Sequence, residues 1–107
     1  MNFTVRMSRQ AEGDVDRIVA SLVQRSPEGA ARWLAALDAA RVKLCESPLG
    51  YPLAPESDFV GAEIRQNIFK TPRGRRYRAL FVVVDNEVRI LHVRGPNQAL
   101  LRPSDFE

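Results

Sequence analysis

Two apolar segments separated by Asp85-Asn86 constrain the fold more than any other part of this sequence. Residues 77–84 and 87–94 are rich in Val, Ile and aromatic side chains, which are typical of β-strands. Asp and Asn both tolerate positive φ, so a two-residue connection of this kind suits a tight turn between antiparallel strands. The sequence therefore predicts a β-hairpin over residues 77–94.

A third strand and two irregular segments surround this hairpin. Residues 63–70 have strand-like composition, and a turn at 71–76 that is rich in cations connects them to the hairpin, which gives a three-stranded meander. Residues 47–62 contain three prolines and two glycines, and we interpret them as an ordered surface loop that is functional or holds a short element. The tail after Arg94 is expected to be irregular or briefly helical.

The first half of the chain predicts one short strand and two helices. Apolar and polar side chains alternate over residues 3–7, as in a strand with one buried face. Ser8 can cap a helix whose apolar stripe runs over residues 11–22. Ser26 and Pro27 give a second start signal, and a stripe over 30–44 follows it. The two stripes describe an antiparallel helix hairpin.

These elements predict one α+β domain over residues 1–107. Its order is an N-terminal strand, an antiparallel helix hairpin and a three-stranded antiparallel meander, with the helices packed on one face of the sheet. A chain of 107 residues is long enough for one hydrophobic core. The other face of the sheet is then expected to be free for a ligand.

The positive charge is concentrated in the sheet half of the chain. Sixteen basic and thirteen acidic residues give a net charge of +3. Residues 1–64 carry seven basic and nine acidic residues, a net of −2, whereas residues 65–94 carry eight and two, a net of +6. Fourteen of the sixteen basic residues are Arg, whose guanidinium makes paired hydrogen bonds to phosphate or carboxylate. A GC-rich coding sequence would also raise the Arg content.

The sheet cations form the predicted binding surface. Its ligand would be the phosphates of a nucleic acid or an acidic protein segment. The alternative is that the same cations are solvated charges that prevent association of the sheet edge. The residues assigned to this surface are Arg65, Lys70, Arg73, Arg75, Arg76, Arg78 and Arg94.

Composition argues against several kinds of site. Cys45 is the only cysteine, so neither an intrachain disulfide nor a cysteine-based zinc site can form. We predict no metal site and no cofactor, because there is one histidine and no glycine-rich phosphate loop in a strand-to-helix context. No secretory signal or membrane-spanning segment is recognisable, which predicts a cytoplasmic protein.

His92 is the one histidine and lies in the last predicted strand. Histidine suits proton transfer near neutral pH, and Arg94 would point to the same face of the strand. The alternative is a structural histidine that is hydrogen-bonded at the sheet surface. We favour this alternative because the sequence shows no obvious catalytic partner for the ring.

The pattern of motifs resembles the RelE/ParE superfamily of bacterial type II toxins. The motifs are Tyr-Arg-Ala-Leu-Phe-Val-Val-Val-Asp-Asn from Tyr77, Val-Arg-Ile-Leu-His-Val-Arg-Gly from Val88, the Ser-x-x-Ala-x-x-Asp start of the first helix at Ser8, and Pro-x-Gly at Pro48. The resemblance covers nearly the whole chain. It implies a small basic α+β toxin that an antitoxin, encoded by an adjacent gene, wraps and neutralises. Some members cleave mRNA in the ribosomal A site, and others inhibit DNA gyrase without being enzymes.

The match to the ribonuclease branch is incomplete. Arg78 matches the strand arginine of that branch, and Lys70 matches a basic position approximately. After Arg94 the match ends, because Pro96 follows where a basic segment is common, and Phe106 near the C-terminus cannot transfer a proton. If the chain is a metal-independent, ribosome-dependent endoribonuclease, its candidate catalytic residues are Arg78, Lys70, His92 and Arg94.

Three functions therefore remain in view. The resemblance favours a ParE-like inhibitor of DNA gyrase that a cognate antitoxin neutralises. A RelE-like mRNA endoribonuclease, acting on the ribosome, is the alternative. A non-toxic, basic adaptor that binds nucleic acid is the third.

Overall fold

The computed structural model describes residues 2–106. Short 3-10 turns occur at Pro48–Gly50 and Pro103–Phe106. The helices and strands are, in chain order, β1 (Thr4–Met7), α1 (Arg9–Arg25), α2 (Pro27–Glu46), α3 (Ser57–Val60), β2 (Arg65–Phe69), β3 (Tyr77–Val84) and β4 (Glu87–Arg94). The predicted α+β class and order of elements are confirmed, and the α1–α2 hairpin packs on one face of the sheet. Among the described residues, no helix is long and apolar enough to cross a membrane.

The hairpin at Asp85-Asn86 has the predicted position. β3 ends and β4 begins at the predicted residues. Val84 pairs with Glu87 across the two-residue turn. Asp85 has a φ of 56°, in the left-handed region that Asp tolerates better than most residues. β2 is shorter than the predicted 63–70 and pairs antiparallel with β3, which completes the meander.

β1 lies at the edge of the sheet, beside the last strand of the chain. The strand order is β1-β4-β3-β2, and β1 runs parallel to β4, with Thr4 opposite Glu87 and Met7 opposite Ile90. A parallel pair requires a long crossover, which the intervening elements supply. The N-terminal strand is therefore held by the last strand of the chain.

A β-bulge in β4 marks the point where β1 ends. Phe81 pairs with Ile90 but Leu80 pairs with His92, so Leu91 is the extra residue. Beyond this point, α1 provides partners for the exposed edge of β4. The Ser8 hydroxyl donates to the carbonyl oxygen of Leu91 at 2.9 Å.

Asp14 completes this contact between helix and strand edge. Its Oδ2 accepts a hydrogen bond from the backbone N–H of Val93 at 2.9 Å, and the residue is buried. The first two turns of α1 thus replace the strand that β4 lacks at its C-terminal end.

The sheet is buried on both faces. The larger core lies between the helices and one face, and is formed by Trp33, Leu37, Leu44, Phe81, Val88 and Ile90 with their neighbours. On the other face, Leu80 packs with Ala54, Ile64 and Leu101 in a second core. The expectation that this second face is free is therefore wrong at its centre, because the segment before β2 and the C-terminal tail cover it.

The segment at 47–62 holds more structure than a loop. It contains the Pro48–Gly50 turn and α3, and Leu53 forms an isolated bridge to Arg65. The Ser57 hydroxyl also accepts from the N–H of Ile64 at 3.1 Å. The short elements in this segment and the Pro103–Phe106 turn agree with the predictions of a short element within 47–62 and a briefly helical tail.

Candidate functional site

Arg78, the predicted strand arginine, forms a largely buried ion pair with Glu56. Its Nη1 and Nη2 donate to Oε1 and Oε2 of Glu56 at 2.9 and 2.8 Å, and Nη1 also donates to Gln66 Oε1 at 3.0 Å. The Glu56 side chain is 0% exposed and that of Arg78 is 19% exposed. The guanidinium charge is therefore compensated inside the protein by Glu56.

Glu56 also connects this pair to the C-terminal tail. Its Oε2 accepts from the backbone N–H of Leu101 at 3.1 Å. Burial raises the pKa of Glu56, but the hydrogen bonds from Arg78 and Leu101 and the charge of Arg78 together lower it further, so that the pKa lies below its ordinary value of 4.5. The carboxylate is consequently ionised at neutral pH. Sequence reasoning missed Glu56, since nothing in an irregular segment marks one acid as buried.

His92 is buried on the same side of the sheet as this network. Its Nε2 lies 2.9 Å from the carbonyl oxygen of Asp105, and because a carbonyl can only accept, Nε2 carries the proton. Nδ1 is 3.7 Å from Asp14 Oδ2, and the ring packs edge-on against Phe106. This environment favours the structural interpretation of His92 over a catalytic one.

The remaining predicted cations do not form one patch. Arg65 donates from Nη1 to the carbonyl oxygen of Tyr51 at 2.7 Å, which fastens the 47–62 segment to β2. Lys70 is exposed beside α2. Arg76 is exposed in the turn before β3. Together with the Arg78 pair, these positions show that the predicted surface is divided among several environments.

The structure instead brings six arginines together around a cleft of about 1010 Å³. The cleft lies between the α1–α2 turn, the β2–β3 turn and the end of β4. We call it the arginine cleft. Its arginines are Arg17, Arg25, Arg32, Arg73, Arg75 and Arg94.

The helical arginines of this cleft were not predicted. Arg17, Arg25 and Arg32 lie in the half of the chain whose net charge is −2, so a count along the sequence does not reveal them. Among residues 2–106, Asp14 is the one acidic residue that lines the cleft. Its carboxylate already accepts a hydrogen bond from Arg17. The cleft therefore keeps a strong excess of positive charge.

The floor of the arginine cleft is apolar and includes an unpaired donor. Ile18, Leu22 and Val93 line it together with Trp33 and Tyr77. The rings of Trp33 and Tyr77 meet edge to face, with centroids 5.3 Å apart. Trp33 is only 3% exposed, yet its Nε1 has no hydrogen-bond partner within residues 2–106. Trp33 therefore belongs both to the larger core and to the wall of the cleft.

Two further features of the cleft favour an anion. The Arg94 Nε is also buried without a partner in the described part of the chain, although its Nη2 donates to the carbonyl oxygen of Ala99 at 2.9 Å. Ser26 and Gly29 line the cleft at the N-terminus of α2, where the helix dipole is positive. The arrangement suits a ligand that has apolar groups for the floor and negatively charged acceptors for the rim.

Comparisons with known proteins identify the family. The model of the ParE toxin of the parDE type II toxin–antitoxin system matches residues 5–99. A chain of the chromosomal ParDE system from P. aeruginosa is similar in structure, with a TM-score of 0.64 at 20% identity over 87% of this chain and 95% of that chain. A chain of the RelBE2 toxin–antitoxin complex from Mycobacterium tuberculosis has a TM-score of 0.52 at 28% identity, over 89% of this chain and 99% of that one. No match was found among curated proteins. Because the family model spans nearly all of the sheet and both long helices, this chain belongs to the ParE toxin family of type II toxin–antitoxin systems.

Proposed function

We propose that this toxin acts in the cytoplasm as a ParE-like inhibitor of DNA gyrase, by binding and not by catalysis. The match to the ParE toxin family supports a ParE-like action, and the ion pair between Arg78 and Glu56 is the observation that supports binding without catalysis. In-line RNA cleavage needs a group that moves protons and a free cation that stabilises the phosphorane charge. Arg78, the best match to the ribonuclease branch, has its charge compensated by Glu56.

The other ribonuclease candidates support the same proposal. His92 is buried against the Asp105 carbonyl. Lys70 lies in a pocket beside α2, and Arg94 lies in the arginine cleft. Lys70 thus lies apart from the other three candidates. Arg94 stands opposite Arg78 across β3 and β4, but His92 beside them directs Nε2 to a backbone carbonyl and Arg78 is paired with Glu56.

The arginine cleft supports the proposed partner, a cognate antitoxin encoded by an adjacent gene. An amphipathic, acid-rich segment would place its apolar side chains on Trp33 and Leu22 and its carboxylates against the arginine rim. Complementary charge of this kind chiefly accelerates association and fixes the orientation of the partner.

Induction of the toxin without its antitoxin tests the proposed function. We expect replication to stop and DNA damage signalling to begin while translation continues, and the purified protein should inhibit supercoiling by gyrase. The protein with Glu56→Gln and Arg78→Gln together is a useful comparison, since gyrase inhibition should not depend on Arg78 chemistry as long as this variant folds. Cleavage of mRNA in the ribosomal A site, with gyrase unaffected, would contradict the proposal and favour the endoribonuclease.

A further inference from the structure

A second, smaller pocket lies between α2 and the edge strand β2. Its volume is about 370 Å³, and it shares no lining residue with the arginine cleft among residues 2–106. Its lining includes Ala36, Ala39, Ala40, Lys43, Asn67 and Lys70. The three alanines supply a small apolar wall, and the other three of these residues supply nitrogen donors.

The polar lining includes both lysines of the protein. Lys43 and Lys70 are the two lysines of the sequence, and the other fourteen basic residues are arginines. Both lysines are exposed, and neither forms an ion pair within the part of the chain that the structure describes. The two lysines are 27 residues apart in sequence but line one pocket.

Asn67 supplies an unsatisfied donor in the same pocket. The residue is 3% exposed, and its Nδ2 has no hydrogen-bond partner in the described chain. Nearly all buried polar groups of native proteins are paired, so a buried amide without a partner beside two ammonium groups points to a missing acceptor. The pocket presents three donors and a net positive charge to whatever enters it.

We propose that this pocket is a binding site for a carboxylate group. The ammonium groups of Lys43 and Lys70 neutralise the ligand, and Asn67 Nδ2 donates a hydrogen bond to one carboxylate oxygen. Ile68, which is 49% exposed at the rim, offers apolar contact to the aliphatic part of the ligand. The carboxylate belongs either to a free carboxylic acid or to an acidic side chain of a polypeptide. This inference concerns another surface than the arginine cleft and does not depend on gyrase inhibition.

Nuclear magnetic resonance titration tests the site directly through Asn67. The side-chain amide resonances of Asn67 in ¹⁵N-labelled protein should shift saturably on addition of glutarate or of N-acetylglutamic acid α-amide, which mimics a glutamate residue. Inorganic phosphate should cause a weaker shift at the same concentration. Tighter binding of glutarate identifies a free acid as the ligand class, and tighter binding of the blocked glutamate identifies a side chain.

Matched variants decide whether the pocket residues hold the ligand. Lys43→Gln and Lys70→Gln should each weaken carboxylate binding roughly tenfold, the usual loss for one charge-assisted hydrogen bond. Arg41→Gln removes a charge from the same helix outside the pocket and should leave the affinity unchanged. Because both lysines are exposed, their variants should keep the backbone amide spectrum of the folded protein. Absence of a saturable shift up to about 50 mM, preference for phosphate, or equal binding by the lysine variants would overturn the proposal.

Discussion

At the scale of single residues, the pair of Glu56 and Arg78 dominates the second face of the sheet. Glu56 belongs to the 47–62 segment and binds Arg78 of β3 and the backbone of Leu101 in the tail. Arg78 in turn donates to Gln66 of β2. A buried pair of this kind adds little stability compared with apolar residues, but removing one partner leaves the other charge buried and uncompensated. Substitution of either member should therefore be severe.

Glu56→Gln should lower the free energy of unfolding by about 3–5 kcal/mol, because Arg78 loses its counter-charge in a largely buried position. Urea denaturation, followed by circular dichroism, measures the change. Glu87→Gln is the matched control, since Glu87 pairs with Arg6 and Arg89 at the surface, and its unfolding midpoint should stay nearly unchanged. Equal effects of the two substitutions would contradict the structural role of the pair.

The same pair predicts a pH dependence of stability. The pKa of Glu56 is lower in the folded protein than its ordinary value of 4.5, so the folded state favours the ionised form. The stability from ionised Glu56 is thus fully present above that ordinary value and is lost as the pH falls through the lower folded pKa. The difference in unfolding free energy between the wild type and Glu56→Gln should be constant near neutral pH and should shrink below pH 4.5. A difference that grows on acidification would contradict this assignment.

The sequence did not predict the partner of Arg78. An Arg side chain inside a strand, such as Arg78, needs water or a partner for its charge. The partner, however, lies 22 residues earlier in a segment without periodicity. Local pattern could not distinguish a cation that awaits a ligand from one that is already paired.

At the scale of elements, the two helix starts look alike in sequence but differ in the structure. Ser8 and Ser26 each accept a hydrogen bond from a backbone N–H three residues on, at 3.0 Å. The Ser8 hydroxyl also donates to Leu91 in the bulge of β4, so it joins α1 to the sheet. The Ser8 hydroxyl therefore caps α1 and also forms a hydrogen bond to the edge of β4.

Ser8→Ala should consequently destabilise the protein more than Ser26→Ala. We expect a loss of about 2 kcal/mol for Ser8→Ala, from the cap and the hydrogen bond to Leu91, and about 1 kcal/mol for Ser26→Ala, from the cap alone. Thermal unfolding of both variants measures the difference. Equal losses would show that the bond to Leu91 contributes nothing to stability.

Elements defined by local signals were predictable, and those defined by distant contacts were not. The capped helices and the Asp85-Asn86 hairpin follow from neighbouring residues, and their bounds agree closely with the structure. The parallel place of β1 beside β4 and the cover formed by residues 47–62 depend on contacts with remote parts of the chain. No periodicity in the sequence encodes these contacts.

At the scale of the whole molecule, the arginine cleft joins cations from three parts of the chain. Counting charge along the sequence identified the +6 segment but assigned the binding surface to the sheet alone. The fold selects Arg73, Arg75 and Arg94 from that segment and adds three arginines from the helices. The anion-binding surface itself stays a prediction, and the fold was needed to show which arginines lie together in the cleft.

Charge reversal in the cleft should weaken antitoxin binding. We expect Arg25→Glu combined with Arg32→Glu to raise the antitoxin Kd by roughly 100-fold, since each substitution turns an attractive charge into a repulsive one. The Kd of the wild type should also rise with salt concentration, and that of the double variant should rise less. Titration calorimetry at several salt concentrations measures both effects.

The control for this prediction is a reversal outside the cleft. Arg9→Glu changes an exposed residue at the start of α1 that does not line the cleft. Its antitoxin Kd should remain within a factor of about 3 of the wild-type value, the scale of a remote surface charge. A comparable loss in both variants would place the antitoxin elsewhere.

The parallel pairing of β1 with β4 also bears on how the toxin is made. Ser8 and Leu91, which are hydrogen-bonded where the two strands part, are 83 residues apart, so the growing chain cannot close its sheet until the last strand has been synthesised. The arginine cleft needs Arg94 at the end of that strand as well as the helices made much earlier. An interrupted translation product that ends before β4 therefore lacks both the closed sheet and the complete cleft. Such a product is therefore expected to bind a partner at the arginine cleft more weakly than the protein that includes β4.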